Sequence, residues 1–322
     1  MAKVALVIGA SRGIGRQIAI DLASNGYAGK SQARLSFISD SLVVVSAKST
    51  SDASTCVPFP PDPNSSQSTT STVAREIIEA GGDALAVAVD VRDPSSVQRL
   101  IDQTIEKYSR LDVLVYNSGA IWWASVAETP PKRFRLMQQV NPEGLYTAVH
   151  TALPHLARTA GRIVVVSPPI YSRFFRGKTA YAMGKVGMSV LTKGLAMDFA
   201  REGNNMTITS LWPAVAIESA ATQKFTTANP EEERDLRKAT VFSDAVLAIL
   251  KAPPAVVNGE LLLDEDFLRS HAGVTDFAKY SVVKGASPRR IMPAELPVLT
   301  VAEQDDEGKR YNSAKDRGKA RL

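Results

Sequence analysis

Ser167, Tyr181 and Lys185 are of types and at spacings that could do chemistry. Tyr181 and Lys185 stand four apart at the start of a periodic segment, and 3.6 residues per turn puts phenol and ammonium on one helical face. A free phenol titrates near pKa ~10, too high for a base at neutral pH, and a neighbouring ammonium favours the phenolate. Ser167 follows Ile163–Val166, an apolar β-branched run that reads as a buried strand stopped by Pro168 and Pro169. A serine, a tyrosine and a lysine meeting at the C-terminal end of a strand form a proton-transfer set suited to a carbonyl/alcohol couple. Tyr-x-x-x-Lys also occurs by chance on many helices, so the elements around it must decide.

Those elements begin at the N-terminus. Lys3–Ile8 reads as a buried strand, followed by the glycine turn Gly9–Gly15 and a helix to about Asn25–Gly26. In a strand–turn–helix of this kind Gly9 permits the tight turn, Gly13 lets the backbone approach a pyrophosphate, and Gly15 lets helix pack on strand. Ser11, Arg12 and Ile14 complete the expected dinucleotide cradle. The glycines are spaced three-then-one rather than in the commoner one-then-two. The next obvious strand is Leu42–Ser46, and Lys48 at its end lies 39 residues after Gly9, against the usual ~20 past the fingerprint. The surplus, Ala28–Ser41, is polar and without a period, either a surface insertion or a fault in the gene model. The end of this strand reads the ribose 2′ position. An acid there suits a hydroxyl and a cation a 2′-phosphate. Ala47-Lys48-Ser49 offers no acid, and Arg12 stands in the glycine turn, so NADP(H) is favoured and NAD left open.

Farther on, Ser49–Thr72 is rich in Ser, Thr, Pro and Asp and reads as a mobile loop. Helix Val73–Ala80 and strand Ala84–Asp90 follow, with Asp90 and Val91 placed to hold an adenine amino group. Helix Pro94–Tyr108 leads to strand Asp112–Tyr116 and the small-residue turn Asn117–Ala120, where Gly119 lets a flat cofactor lie against backbone. Helix Pro131–Val140 carries Asn141, and the helical pattern resumes through His155. Strand Thr207–Leu211 ends at Trp212-Pro213, with Pro213 at the cofactor, and Leu261–Leu263 is the last strand. Strands alternating with helices this regularly specify a Rossmann-type, doubly wound parallel α/β sheet. It is expected as a single domain over 1–298, with a disordered polar tail over 299–322.

Composition narrows the class. No apolar run reaches the ~18 residues of a membrane span, and one cysteine, Cys56, precludes an internal disulfide framework and fits a reducing compartment. The three histidines show no metal-ligand clustering. A net charge of +5, spread along the chain without interleaved aromatics, argues for anionic small ligands rather than nucleic acid.

With GASRGIG at Gly9–Gly15, Asp90-Val91, NSGA at Asn117–Ala120, Asn141, Ser167 and YAMGK at Tyr181–Lys185 in this order, the chain resembles the short-chain dehydrogenases/reductases over roughly residues 3–270. The resemblance implies an NAD(P)-dependent enzyme in which Tyr181 is the acid/base at the substrate oxygen and Ser167 polarises that oxygen. Lys185 would lower the tyrosine pKa and bind the ribose hydroxyls, and Asn141 would hold a water in a proton relay. Two residues depart from the family pattern: Tyr116 replaces the usual first Asn of its turn, and Ala214 a common glycine after Pro213. The C-terminal sterol-carrier domain of some relatives is not expected, since the chain ends at Leu322.

Substrate identity is less legible. Ala214–Ala239 is expected to form the substrate lid, and its Ala, Thr and charged residues name no ligand. Two readings follow: an oxidoreductase on a lipid-like carbonyl or alcohol, or a catalytically weak nucleotide-binding protein of the same fold with a binding or regulatory role. The partners expected are a small carbonyl or alcohol substrate and a peroxisomal import receptor, with homo-oligomers left open. The receptor would read Ala320-Arg321-Leu322, a small–basic–leucine end like the Ser-Lys-Leu signal. Peroxisome is thus the expected address and cytoplasm the alternative.

Overall fold

The computed structural model describes residues 2–25, 41–48, 50–51 and 68–302. All seven strands are parallel, in the order β3-β2-β1-β4-β5-β6-β7. They are β1 (Lys3–Ile8), β2 (Ser41–Ala47), β3 (Asp83–Ala88), β4 (Val113–Tyr116), β5 (Arg162–Val166), β6 (Thr207–Trp212) and β7 (Leu261–Leu263). The chain reverses its direction of travel across the sheet between β1 and β4, and ligands of open α/β sheets bind at such a switch point, beyond the strands' carboxyl ends.

Helices cover both faces, so the strands are apolar on both sides. In β1 the alternation is strict. Ala5 and Val7 join the core under α1 (Gly13–Ser24), α2 (Thr70–Glu79), α8 (Thr240–Lys251) and α10 (Asp264–His271). Val4, Leu6 and Ile8 join the core under α3 (Pro94–Tyr108), α5 (Gly144–Ala157) and α6 (Thr179–Arg201). The remaining helices are α4 (Pro131–Gln138), α7 (Gln223–Ala228) and α9 (Pro254–Val257).

Two expected boundaries move. The loop read over 49–72 ends earlier, because Thr69 and Thr72 close a reciprocal capping box that starts α2 at Thr70, and Ser68 donates to the Ser11 carbonyl at 2.6 Å. The expected insertion 28–41 is also one residue too long: Ser41 opens β2, paired with Lys3. Residues 28–40, most of the 49–72 loop and the expected targeting tripeptide lie outside the described residues. Among the described residues no helix is long and apolar enough to cross a membrane, and no group of side chains could hold a metal ion.

Candidate active site

Tyr181 and Lys185 lie in the first two turns of α6, which packs against the carboxyl end of β5. Both are buried, at 3% and 4% exposure. The Lys185 ammonium donates to the Val166 carbonyl at 2.8 Å, anchoring its long stem to the end of the strand. It lies 5.5 Å from the Trp212 ring centroid, while Tyr181 packs with Phe174, Ala182 and Met137. In the protein without cofactor, burial dominates both groups. Burial pushes the Tyr181 phenol up and pulls the Lys185 ammonium down to about 7, because removing water penalises each charged form. Burial thus favours the neutral amine of Lys185 more than water would.

Ser167 directly follows β5, and its side chain points into the protein interior. It is fully buried, with its Oγ 2.5 Å from Ser210 Oγ and accepting from Ser189 Oγ at 3.1 Å. Ser210 donates to the Ser167 carbonyl at 2.7 Å, which leaves the Ser167 proton directed at Ser210. Ser189 also donates to the Pro168 carbonyl at 2.6 Å, so the three hydroxyls form one buried cluster. The cause is the strand's alternation: the side chain after Val166 turns under α6, toward Ser189.

Asn141 sits in a single π-helical turn, Gln139–Glu143, between α4 and α5. Pro142, which has no N–H, interrupts the ladder there. The turn sends the Gly144 N–H to the Asn141 and Gln139 carbonyls and bypasses that of Val140. The buried Tyr116 hydroxyl fills the gap, donating to the Val140 carbonyl at 2.6 Å. Tyr116, a departure at the level of sequence, thus completes the π turn. A side chain at Gly144 would meet the same hydroxyl at 2.5 Å. The Asn141 amide is spent on one neighbour, accepting from the Ala120 N–H at 2.8 Å and donating to its carbonyl at 3.1 Å. Its visible work is to clamp the Gly119–Ala120 turn. A Cβ on Gly119 would lie 3.3 Å from the Lys185 nitrogen.

At the switch point two turns interlock. Gly9 has φ +90 and Gly13 φ +55, values that favour glycine. A Cβ on Gly15 would lie 2.1 Å from the Gly9 carbonyl, and one on Gly9 would lie 2.6 Å from the Ser118 nitrogen. Asn117 ties the turns together by donating to the Gly9 carbonyl at 2.8 Å. Among the described residues the N-terminus of α1 has no side-chain cap, which suits its first N–H groups to an anion. Ser11 and Ile14 are half-buried and Arg12 exposed beside it. These features fit the diphosphate of a dinucleotide.

Lys48 and Asp90 meet each other at 3.2 Å. Arg92, which sequence reasoning missed, chelates the same carboxylate, and its hydrogen bond, more than Lys48's, holds the Asp90 carboxyl well below the usual range. The signal was available as a second basic residue two positions past Asp90. Val91 is buried against the core and the Gly144 backbone.

On the far side of the cleft, Pro213 is half-buried and Ala214 is gripped from two directions. The Ala214 N–H donates to Asp264 Oδ1 at 2.8 Å, and its carbonyl accepts from Ile291 and Met292 at 2.9 and 3.2 Å. This C-terminal strap is fixed by the Arg290–Asp266 ion pair at 2.7 Å, and the Tyr171 hydroxyl meets Met292 Sδ at 3.4 Å. Asp264 is fully buried with Oδ2 unpartnered, and burial raises its carboxyl to about 7.

The family model described as short chain dehydrogenase matches residues 64–230. A short chain dehydrogenase from Mycobacterium thermoresistibile superposes with a TM-score of 0.74 at 32% identity, over 90% of this chain and 94% of that one. The chain belongs to the short-chain dehydrogenase/reductase family. Membership makes it an NAD(P)-dependent oxidoreductase by class. Among curated relatives, hydroxysteroid dehydrogenase-like protein 2 of Danio rerio is 34% identical over 282 residues, 87% of this chain. The match covers 60% of that protein, so this short-chain dehydrogenase corresponds to little more than half of its relative's length. A 7α-hydroxysteroid dehydrogenase solved with NADH and 7-oxo glycochenodeoxycholic acid shares the fold, with a TM-score of 0.62 at 24% identity over 81% of this chain and 92% of that one.

Proposed function

We propose that the chain interconverts a carbonyl and a secondary alcohol on an apolar, lipid-derived substrate with NADP(H), Tyr181 exchanging the proton with the substrate oxygen. The observation that carries this reading is the burial of Tyr181 and Lys185 together on one helical face, inside an aromatic wall of Phe174 and Trp212. A bound dinucleotide supplies the hydride chemistry. Gly9, Gly13 and Gly15 with the α1 N-terminus would hold its diphosphate, and Arg12 with Lys48 a 2′-phosphate. Asn117 and Gly119 keep the β4 turn flat, Pro213 bounds the opposite wall, and Asp90 and Val91 flank the adenine end. In reduction Tyr181 gives its proton to the oxygen. The phenolate left behind favours the charged form of Lys185, and a lysine poised near neutrality readily takes up the replacement proton. The aromatic wall excludes water and favours apolar substrates.

A second reading, a nucleotide-binding protein with little turnover, draws support from the commitment of the Ser167 proton to Ser210. Following NADPH absorbance with medium- and long-chain 3-oxoacyl thioesters and ketosteroids separates the two. Turnover should appear in the wild type and fall ~10²–10⁴-fold in Tyr181→Phe with NADPH binding kept. No turnover on any of them, with tight NADPH binding, would favour the second reading. Peroxisomal import through Ala320-Arg321-Leu322 belongs to the same proposal. An N-terminally tagged chain should be punctate and become diffuse when those three residues are removed.

A further inference from the structure

Beyond β4 the chain runs without regular secondary structure through Ile121, Trp122 and Trp123. The Trp123 ring meets Tyr181 edge-on, at 6.2 Å and 83°. Phe225 stacks near-parallel against the same indole, with ring centroids 6.0 Å apart and planes at 15°. Phe225 comes from α7, a short helix none of whose residues is buried. The helix hangs from a polar turn in which the Ser219 N–H donates to the Thr222 hydroxyl and that hydroxyl donates to the Ile217 carbonyl. Trp123 and Phe225 are 46% and 48% exposed. Two large aromatic rings at the mouth of a reaction site therefore hold each other with little else to fix the second one.

Resting on the function proposed above, we propose that the indole face of Trp123 is the platform for a flat, fused-ring ketone or secondary alcohol, and that Phe225 occupies this face until such a substrate displaces it. The geometry selects rings over chains. A group stacked on Trp123 lies beside Tyr181, so an oxygen borne on the ring itself falls within reach of the phenol. A straight chain has no face to match the indole. Phe225 shows that the platform accepts a flat apolar group in the stacked arrangement that aromatic rings favour. Because that occupant belongs to the chain, its removal frees the face instead of destroying it.

The test uses two ten-carbon ketones, the bicyclic 2-decalone and the linear 2-decanone, with the full chain. Binding to cofactor-free protein is measured by calorimetry, and KM with NADPH alongside it. Phe225→Ala should tighten 2-decalone binding about threefold or more, and Trp123→Ala should weaken it about three- to tenfold, the range of one aromatic pair. Trp123→Phe, which keeps an aromatic face, should restore most of the loss, and 2-decanone should change by less than about twofold throughout. Weaker 2-decalone binding in Phe225→Ala, equal losses for both ketones in Trp123→Ala, or no binding of 2-decalone to wild type and Phe225→Ala would each overturn the platform. Selective binding of the bicyclic ketone without turnover would uphold the platform and count against the proposed reaction.

Discussion

Lys185 and Lys48 are both cations at the carboxyl edge of the sheet, and the fold treats them oppositely. Lys185 is enclosed, donates to a strand carbonyl and is held near neutrality by the loss of water around it. The Lys48 side chain is 72% exposed and shares a carboxylate with Arg92. An exposed pair of this kind contributes little to stability and is screened by salt. The buried cation's properties are set by the protein before anything binds. The exposed one is free to change partners, so ligand preference there should be easy to alter and costless to the fold.

That contrast can be broken first at Lys185. Lys185→Met should cut turnover by at least about a hundredfold, because the proton route behind Tyr181 is lost. Its thermal midpoint should hold or rise, since a well-packed apolar side chain in place of a buried charge is often neutral or stabilising. A sharp drop in the midpoint would show that the lysine is a structural anchor instead.

At the exposed end, Lys48→Asp with Arg12→Ser should shift the NADPH-to-NADH affinity ratio by about tenfold or more, through loss of charge-assisted contacts to a phosphate. The melting curve should not move. Unchanged cofactor preference would make both cations bystanders.

A third measurement compares Lys185 with Asp264 through pH. Asp264 is raised from 3.8 to about 7, so the folded form binds the extra proton and stability is lost as pH rises from 3.8 through 7. Lys185 is lowered from 10.5 to about 7, so the unfolded chain binds more protons between those values and stability is regained as pH climbs from 7 to 10.5. The two together place a minimum near neutrality. Asp264→Asn should flatten the acid limb and Lys185→Met the alkaline limb in denaturation series, and a mutant that flattens the other limb would refute the assignment.

The smallest effect on turnover is expected at Ser167. Ser167→Ala should leave kcat within about threefold while lowering stability by about 1–3 kcal/mol, because Ser189 and Ser210 lose a buried partner. A fall in kcat like that of Tyr181→Phe would mean that the hydroxyl turns toward the substrate during the reaction.

What could be read from the sequence follows from where the physics is local. Val43–Val45 and Ile163–Val166 announce strands buried on both faces, and Pro94 and Asp93 fix the start of α3 within the same few residues. The four-residue spacing of Tyr181 and Lys185 needs only a helix to become a shared face. The inward turn of Ser167 was not legible, because position after a strand does not say which face its side chain takes. The π turn at Asn141 was not legible, because it depends on Tyr116, which lies 25 residues earlier in the sequence. Nor was the strap, since residues 289–296 carry no helical or strand period and are held by partners far back in the chain, among them Ala214, Asp235 and Asp266.

That strap has a practical consequence. Because Ile291 and Met292 hang on the Ala214 carbonyl and Arg290 on Asp266, the last stretch of the described chain is mechanically continuous with the wall of the cleft. A load applied there, by a fused reporter, a surface tether or a pulling probe, would be borne by the Ala214 hydrogen bonds, the Arg290–Asp266 and Arg289–Asp235 ion pairs and the Tyr171–Met292 contact. It would reach the reaction site before it reached the sheet. Immobilising the protein by its other end would load β1 and the Gly9 turn instead, so the choice of handle itself becomes an experimental variable.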